Sequence, residues 1–389
     1  MRYLRIMKMI RKFLIPLTAG LVWLVLVQYF LGERFEWHEP AGFSGMQFFN
    51  PYQSVDGAAW LKCNFHAHSH AWNGLTNGHG TPNDIHDAYD SLGYDVHAVS
   101  NYHEIDTSLS QTSTYMPAYE HGYNVRKTHQ QILGGKSILW NDYLFPQTLN
   151  NKQSILNELG KDTNTVIVLN HPALGNGYAV NDFKYLTGYD CIEVLNPSVD
   201  SFEEWDVALT AGKRINIVGN DDIHNVISKE RLGLMCTYVQ SKEKSTQSIL
   251  KSLKNGQGYA AKIGPYQEHM RMPMLKELRV DKEVITINLS QTAVKVSFIG
   301  EHGIVRKEAM NVRTAQYRIQ NTDPYIRIIA TFPTGTKLYF NPVIRFSGSF
   351  GPEPNIAKNN IEMGLYRVMG ILLFGVYCCA VWLWNRRSK

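Results

Sequence analysis

A chain of 389 residues, 44% apolar and 19% charged, exceeds one ordinary domain and carries too many core-forming side chains to be disordered. Its formal charge of +5 misleads: Arg2, Arg5, Lys8, Arg11, Lys12, Arg386, Arg387 and Lys389 place eight positive charges at the two ends, and +5 less those eight leaves −3 for everything between. That balance excludes a basic patch for nucleic-acid backbones, and five cysteines without paired spacing exclude a disulfide framework, so Cys63, Cys191 and Cys236 read as buried free thiols.

In chain order, a basic tail over 1–12 precedes residues 13–31, FLIPLTAGLVWLVLVQYFL, an uncharged apolar span. It is long enough to cross a hydrocarbon core of roughly 30 Å. No small-x-small cleavage site follows, so an uncleaved anchor is expected rather than a signal peptide. Residues 32–57, aromatic and punctuated by Gly and Pro, read as a linker.

Leu61–Phe65 is a short apolar run that empties into His66, His68 and His70; six of the 14 histidines lie between His66 and His97, and His103 follows. A strand sends alternate side chains to one face, so His-x-His at its end aims two imidazoles at one point, as a metal needs. Thr81 predicts an N-cap with Pro82 at the first helical position, and Ile85, Ala88, Tyr89 and Leu92 keep one apolar face until Gly93. A second strand, Val96–Ser100, delivers His103. The pattern recurs: Tyr115–Tyr119 leads to Glu120, Val166–Leu169 to His171, Cys191–Leu195 to Asn196, and Ile215–Val218 to Asp222 and His224. Helix-length segments such as Gln153–Leu159 and Ser201–Ala211 separate these runs, which argues for buried parallel strands in an α/β fold with polar side chains at the carboxyl ends.

After Pro265 the texture changes to short β-rich runs, among them Val284–Leu289, Val294–Ile299, Tyr325–Thr331 and Leu338–Phe340, so residues 270–348 predict a small antiparallel β-sandwich. Residues 349–363 form a polar linker. Residues 364–385 predict a second transmembrane helix, with Trp382 and Trp384 at an interface and the basic tail 386–389 beyond. Basic flanks at both ends predict cytoplasmic termini in a bacterial-type inner membrane, with residues 32–366 outside the cytoplasm.

The order His66-Ala67-His68, Asn77-Gly78, Thr81-Pro82, Asn101-Tyr102-His103, Glu120, His129, His171-Pro172 and Asp222-Ile223-His224 resembles the PHP (polymerase and histidinol phosphatase) superfamily. The resemblance covers roughly residues 58–262, within a unit expected to span 58–265, and implies a distorted (β/α)7 TIM-like barrel. It also implies metal ligands at His66, His68, His103, Glu120, His129, His171, Asp222 and His224, with Glu120, Asp222 and His224 as the catalytic set. Two departures stand out: Asn77 and Tyr102 occupy places where the family has Asp, and His70 or His79 is available to replace the missing ligand.

Imidazoles and carboxylates together suit two or three divalent ions of Zn, Mn or Fe, and such a cluster makes hydroxide available near neutral pH. The expected activity is hydrolysis of a phosphomonoester or phosphodiester, with Arg126, Lys127, Arg214 and Arg231 as candidate phosphate clamps. Glu193, inside its strand, is expected to hydrogen-bond a ligand histidine rather than touch metal, and amides such as Asn170, Asn196 and Asn220 stand where they can orient ligands. The alternative is a catalytically degenerate domain that serves as a binding or assembly module.

Overall fold

The computed structural model describes residues 2–53, 60–350 and 356–387. The boundary expected between 57 and 58, residues 351–355 of the expected linker 349–363, and residues 1 and 388–389 of the expected tails lie outside the described residues. The strand Trp60–Asn64, four of whose five residues are buried, pairs in parallel with Val96–His97 and antiparallel with Met235–Gln240. Between the first two runs the helix Pro82–Ser91, whose capping residue was read from the sequence. Thr81 Oγ1 accepts from Asp84 N–H at 3.1 Å and Asp84 Oδ2 accepts from Thr81 N–H at 2.7 Å, a reciprocal cap that satisfies two otherwise orphaned donors. Ile85 and Tyr89 bury the inner face, and Gly93 at φ +66° turns the chain out of the helix.

A second sheet runs Ala118–His121, Gln130–Leu133, Val166–Leu169, Cys191–Asn196 and Asn216–Gly219. The last three are parallel, as expected, but the first two pairings are antiparallel. The segment from His121 to Gln130 is too short for a crossover, so the chain can only turn back as a hairpin.

The two sheets abut at both edges. Buried Thr237 donates to Gly219 C=O and accepts from Gly219 N–H, both at 2.9 Å, while Glu120 N–H donates to Asn101 C=O at 3.1 Å and His103 N–H donates to Glu120 C=O at 2.9 Å. Inside this curl, Cys63, Val96, Ala118, Val168, Cys191 and Val218 pack into one apolar core drawn from both sheets. The three cysteines expected to be buried and unpaired are so.

The C-terminal strands, expected as a small antiparallel β-sandwich, belong to the first sheet. Leu275–Asp281, Val284–Ile299, Val305–Arg318, Tyr325–Thr331 and Lys337–Phe346 run on from the first sheet, because Lys337–Phe346 pairs with Gly258–Lys262, placing Phe340 opposite Tyr259. That pairing covers an edge that would otherwise leave backbone donors and acceptors unmatched. A buried ion pair fastens this module to the helix Phe202–Thr210: Asp206 Oδ1 accepts from Arg327 Nη2 at 2.8 Å and from Tyr325 O–H at 2.9 Å, with Arg327 over the Trp205 ring at 4.9 Å.

The terminal helices Arg2–Leu31 and Asn360–Arg387 contain apolar stretches of 22 and 25 residues, long enough to cross a membrane. They lie antiparallel, with Phe30 against Gly370, Trp23 stacked on Phe374 at 5.6 Å and Tyr377 O–H donating to Pro16 C=O at 2.8 Å. Leu17, Leu24, Ile371 and Val376 remain exposed on their outer surface, a pattern that weakly suggests membrane association.

The Asp206–Arg327 pair yields a test of whether the C-terminal strands and the α/β body unfold as one unit. Asp206→Ala leaves a buried guanidinium without its carboxylate and should destabilise the full chain by about 3–5 kcal/mol in denaturant titrations. Asp206→Ala combined with Arg327→Leu should recover most of that loss.

Candidate metal centre

The centre is assembled by two extended segments lying side by side. Ala67 bridges Ile223 in parallel and His68 N–H donates to Ile223 C=O at 2.8 Å, so His66 and His68 on one segment face Asp222 and His224 on the other. The His68 and His224 rings stack at 4.3 Å. Glu120 comes from the strand Ala118–His121, His129 immediately precedes Gln130–Leu133, and His171 follows Val166–Leu169. Asp222 and His171 sit at φ +46° and +29°, conformations that non-glycine residues adopt only where the surroundings impose them.

Four sets of side chains, each with its ligand atoms all within 4.8 Å of one another, overlap here: His66, His68 and Glu120; His66, His171 and Asp222; His68, Asp222 and His224; Glu120, His129 and His171. Glu193 behaves as the sequence reading expected. Its Oε1 accepts from His66 Nδ1–H at 2.9 Å and its Oε2 from the His171 backbone N–H at 3.0 Å. Asn196 and Asn220 each donate to Glu193 at 3.0 Å, and Asn170 donates to Glu120 Oε1 at 2.8 Å.

Fixing the His66 proton on Nδ1 has a consequence. The Nε2 lone pair then points at His68 Nε2 (3.1 Å), Asp222 Oδ1 (3.2 Å) and Glu120 Oε1 (3.4 Å). Glu120 Oε2, Asp222 Oδ1 and His171 Nδ1 are buried with no hydrogen-bond partner. Acceptors facing acceptors out of water need protons or cations between them.

The protonation tendencies express the same demand. Burial pushes the His66 imidazolium down, yet Asp222, Glu193 and Glu120 hold its pKa well above the ordinary value, and His68 and His171 are raised against burial by Asp222 and Glu120. Burial pushes Glu120 and Asp222 up, yet His129 and His66 hold the first, and His66 and His68 the second, below the usual carboxylate range. The donor set therefore fits divalent cations, which would take the place of those protons.

A cavity of about 340 Å³ opens above the cluster, lined by Tyr102, His129, His171, Asp222 and His224 below and by Lys127, Ser198 and Arg231 nearer the mouth. Arg231 Nη1 donates to Ser198 Oγ at 2.8 Å. Ser198, Ser228 and Glu230 on this wall carried no spacing signal in the sequence, because nothing about a loop serine distinguishes it until the loop is placed.

Five expected site residues lie elsewhere. His103 is not among the converging groups: its Nδ1–H donates to Leu139 C=O and its Nε2 accepts from Gly122 N–H, both at 3.1 Å. Burial and neighbouring His121 push its pKa down to about 4, which marks a neutral structural imidazole. The Tyr102–Glu120 bridge sets the alternation, so Tyr102 takes the cavity face and stacks on His68 at 4.6 Å while His103 stacks on Trp140.

His70 and His79 are exposed and join no group, because the loop between them is pinned by His70 N–H to Gly80 C=O and His79 N–H to His224 C=O, both 2.7 Å; Asn77 lines the cavity instead. Arg126 is exposed beyond the lining. Arg214 lies over the Phe350 ring at 4.7 Å, before the strand Asn216–Gly219 and so at the end opposite Asp222.

No protein-family model matches this chain, and no curated protein does. Solved structures similar to it include a two-domain protein from Bacteroides vulgatus containing a predicted PHP-like metal-dependent phosphoesterase, 16% identical, aligned over 78% of this chain and 92% of that one with a TM-score of 0.39. PsfC from Pseudomonas syringae is 14% identical over 50% of this chain and 90% of its own, with a TM-score of 0.36. At such distances the chemistry rests on this chain's own residues.

Glu193 supports two histidines without joining the cluster, so Glu193→Gln should weaken divalent-metal affinity about 10–100-fold in calorimetric titration, and it should also lower the thermal midpoint of the metal-free protein, because one of its buried oxygens becomes an amide donor facing two donors.

Proposed function

We propose that this chain is a metal-dependent phosphoesterase, anchored by its two terminal helices with the hydrolytic unit, residues 58–265, outside the cytoplasm. The observation that carries the reading is the buried meeting of His66, His68, Glu120, His171 and Asp222, acceptors facing acceptors, at the base of a cavity with Lys127 and Arg231 in its wall. The overlap of four ligand sets supports two or three ions of Zn, Mn or Fe, and the abutting curled sheets support a distorted (β/α)7 barrel as the parent architecture. When bound, such ions supply Lewis acidity toward phosphoryl oxygens and nucleophilic hydroxide near neutral pH.

The chain's own residues do the rest. Glu193 orients His66, while Asn170 and Asn196 hold the Glu120 and Asp222 carboxylates in place. The Tyr102 ring, stacked on His68, shields the cluster from bulk water, and burial together with Glu120 and Asp222 keeps its phenol protonated. Lys127 and Arg231 offset the charge of a phosphoryl group entering the cavity. In hydrolysis a water oxygen joins phosphorus, the phosphorus–oxygen bond to the alcohol breaks, and the alcohol oxygen takes a proton. His224 is the partly exposed imidazole at the open side, where that alcohol leaves.

The antiparallel helix pair supports a topology with both basic ends on one side of the bilayer. A reporter fused after Lys389 should therefore behave as cytoplasmic, and extracytoplasmic reporter activity there would exclude the two-anchor arrangement.

Metal-loaded protein should hydrolyse phosphoesters from a panel of monoesters and diesters, lose the activity to chelator and regain it with metal. His68→Ala or Asp222→Ala should lower kcat/KM by at least about 10²-fold, and Tyr102→Phe far less, since the ring's stack on His68 survives. A protein that binds its metals yet cleaves no ester would instead be the binding module that Tyr102 and Asn77, in place of carboxylates, make the second reading.

A further inference from the structure

The surroundings of the cavity are joined to the first membrane helix by a short loop. Tyr29, in the last turns of the helix Arg2–Leu31, donates from its hydroxyl to Phe145 C=O at 2.7 Å, and its ring packs on Tyr143 at 5.0 Å. Residue 29 lies inside the apolar stretch Ile10–Leu31, so this loop sits at the depth where that helix leaves the hydrocarbon.

Five residues earlier on the same loop, Trp140 stacks on His103 at 5.3 Å and meets the Trp72 ring edge-on at 5.7 Å. Trp72 in turn donates from Nε1 to the carbonyl of Tyr102, whose ring lies on His68. Five extended residues reach at most about 18 Å, so Trp140, which meets the cavity-lining Tyr102 through Trp72, lies within one short loop of the end of the first helix. A second segment makes the same connection: Val125 N–H donates to Leu144 C=O at 3.0 Å, and Lys127, two residues on, lines the cavity.

The side chains along this rim are of the kind that settle at a membrane surface. Trp72, Tyr123, Val125, Trp140 and Phe145 are between 42% and 58% exposed, and exposed Arg126 and Lys127 interleave with them. Aromatic rings beside lysine and arginine gain from the headgroup region, where ring faces meet acyl chains and cations meet phosphates. In water this group would be a costly apolar patch. Trp72 and Asn73 are moreover held at φ +52° and +51°, a left-handed turn that a tryptophan adopts only under constraint and that presents the indole at the rim.

We propose that this aromatic and basic rim lies on the bilayer and that the metal centre opens onto it, taking as substrate a phosphoester carried by a membrane lipid rather than a freely diffusing one. The inference rests on the phosphoesterase and two-anchor readings and specifies their substrate class. The headgroup phosphate enters past Lys127 while the acyl chains stay in the leaflet against Trp140 and Phe145. For a phosphomonoester lipid, water adds to phosphorus, the bond to the glycerol oxygen breaks, that oxygen takes a proton, and diacylglycerol is left in the membrane.

The test uses the full, metal-loaded chain in phosphatidylcholine vesicles doped with phosphatidic acid or phosphatidylglycerol, with the corresponding deacylated phosphoesters as soluble counterparts. Hydrolysis of the lipid forms should exceed that of the soluble ones, and Trp140→Ser with Phe145→Ser should lower the ratio of lipid to soluble turnover at least about tenfold. Independently of activity, the fluorescence lost in Trp140→Phe should be quenched by lipids brominated near the glycerol end of their chains and shielded from aqueous iodide. Quenching by iodide but not by brominated lipid overturns the proposal, as does equal turnover of both forms with an unchanged ratio. If no ester is hydrolysed while Trp140 is quenched by lipid, the hydrolase reading falls and the membrane-facing rim stands.

Discussion

Glu120 and Asp222, both buried, face the Nε2 of His66, which is an acceptor because the ring's Nδ1–H donates to Glu193. Nothing in a low-dielectric interior tolerates that arrangement unless positive charge sits within it. The same demand raises the proton affinity of His66, His68 and His171 against the effect of burial, through the neighbouring carboxylates of Asp222 and Glu120. The cluster is thus a store of unmet electrostatic demand, and the surrounding scaffold is organised to keep it from relaxing.

That scaffold works by over-determination. The parallel bridge between Ala67 and Ile223 sets which residues face inward on both segments at once, so a slip of one residue would turn all four ligand-type side chains away. Asp222 and His171 are held in left-handed backbone conformations at the ends of their segments. Thr237 clamps the edge where the sheets meet, and three asparagines, two donating to Glu193 and one to Glu120 Oε1, keep those carboxylates from rotating.

The same loops also couple the centre to the outermost parts of the chain. Leu139, whose carbonyl accepts a hydrogen bond from His103 Nδ1–H, is followed directly by Trp140 and, at the far end of the loop, by Phe145 against the first helix. His103 therefore stands between the polar centre and the apolar rim as a neutral brace. A loop anchored at both ends by hydrogen bonds to buried or helical partners has little freedom, which suits a rim whose position relative to the cavity matters.

Much of the centre could be read from spacing. Thr81-Pro82 determined its helix start, because a side-chain oxygen, a fixed φ and an Asp three residues on act locally. His66-x-His68 and Asp222-x-His224 determined that each pair shares a face, because the alternation of an extended chain is a local property. The apolar spans near both ends and the buried cysteines were likewise legible from composition. Which face each residue takes after a strand ends is not local: Tyr102 rather than His103 looks into the cavity because position 102 bridges Glu120, a partner 18 positions away. The antiparallel turn at His121–Gln130, the growth of the C-terminal strands from the first sheet, and the exposure of His70, His79 and Arg126 were decided by long-range pairing that leaves no periodic trace. Sequence by itself determined the ligand chemistry and the side-chain alternation; tertiary structure alone decided which of those ligands meet, because convergence depends on register between segments far apart in the chain.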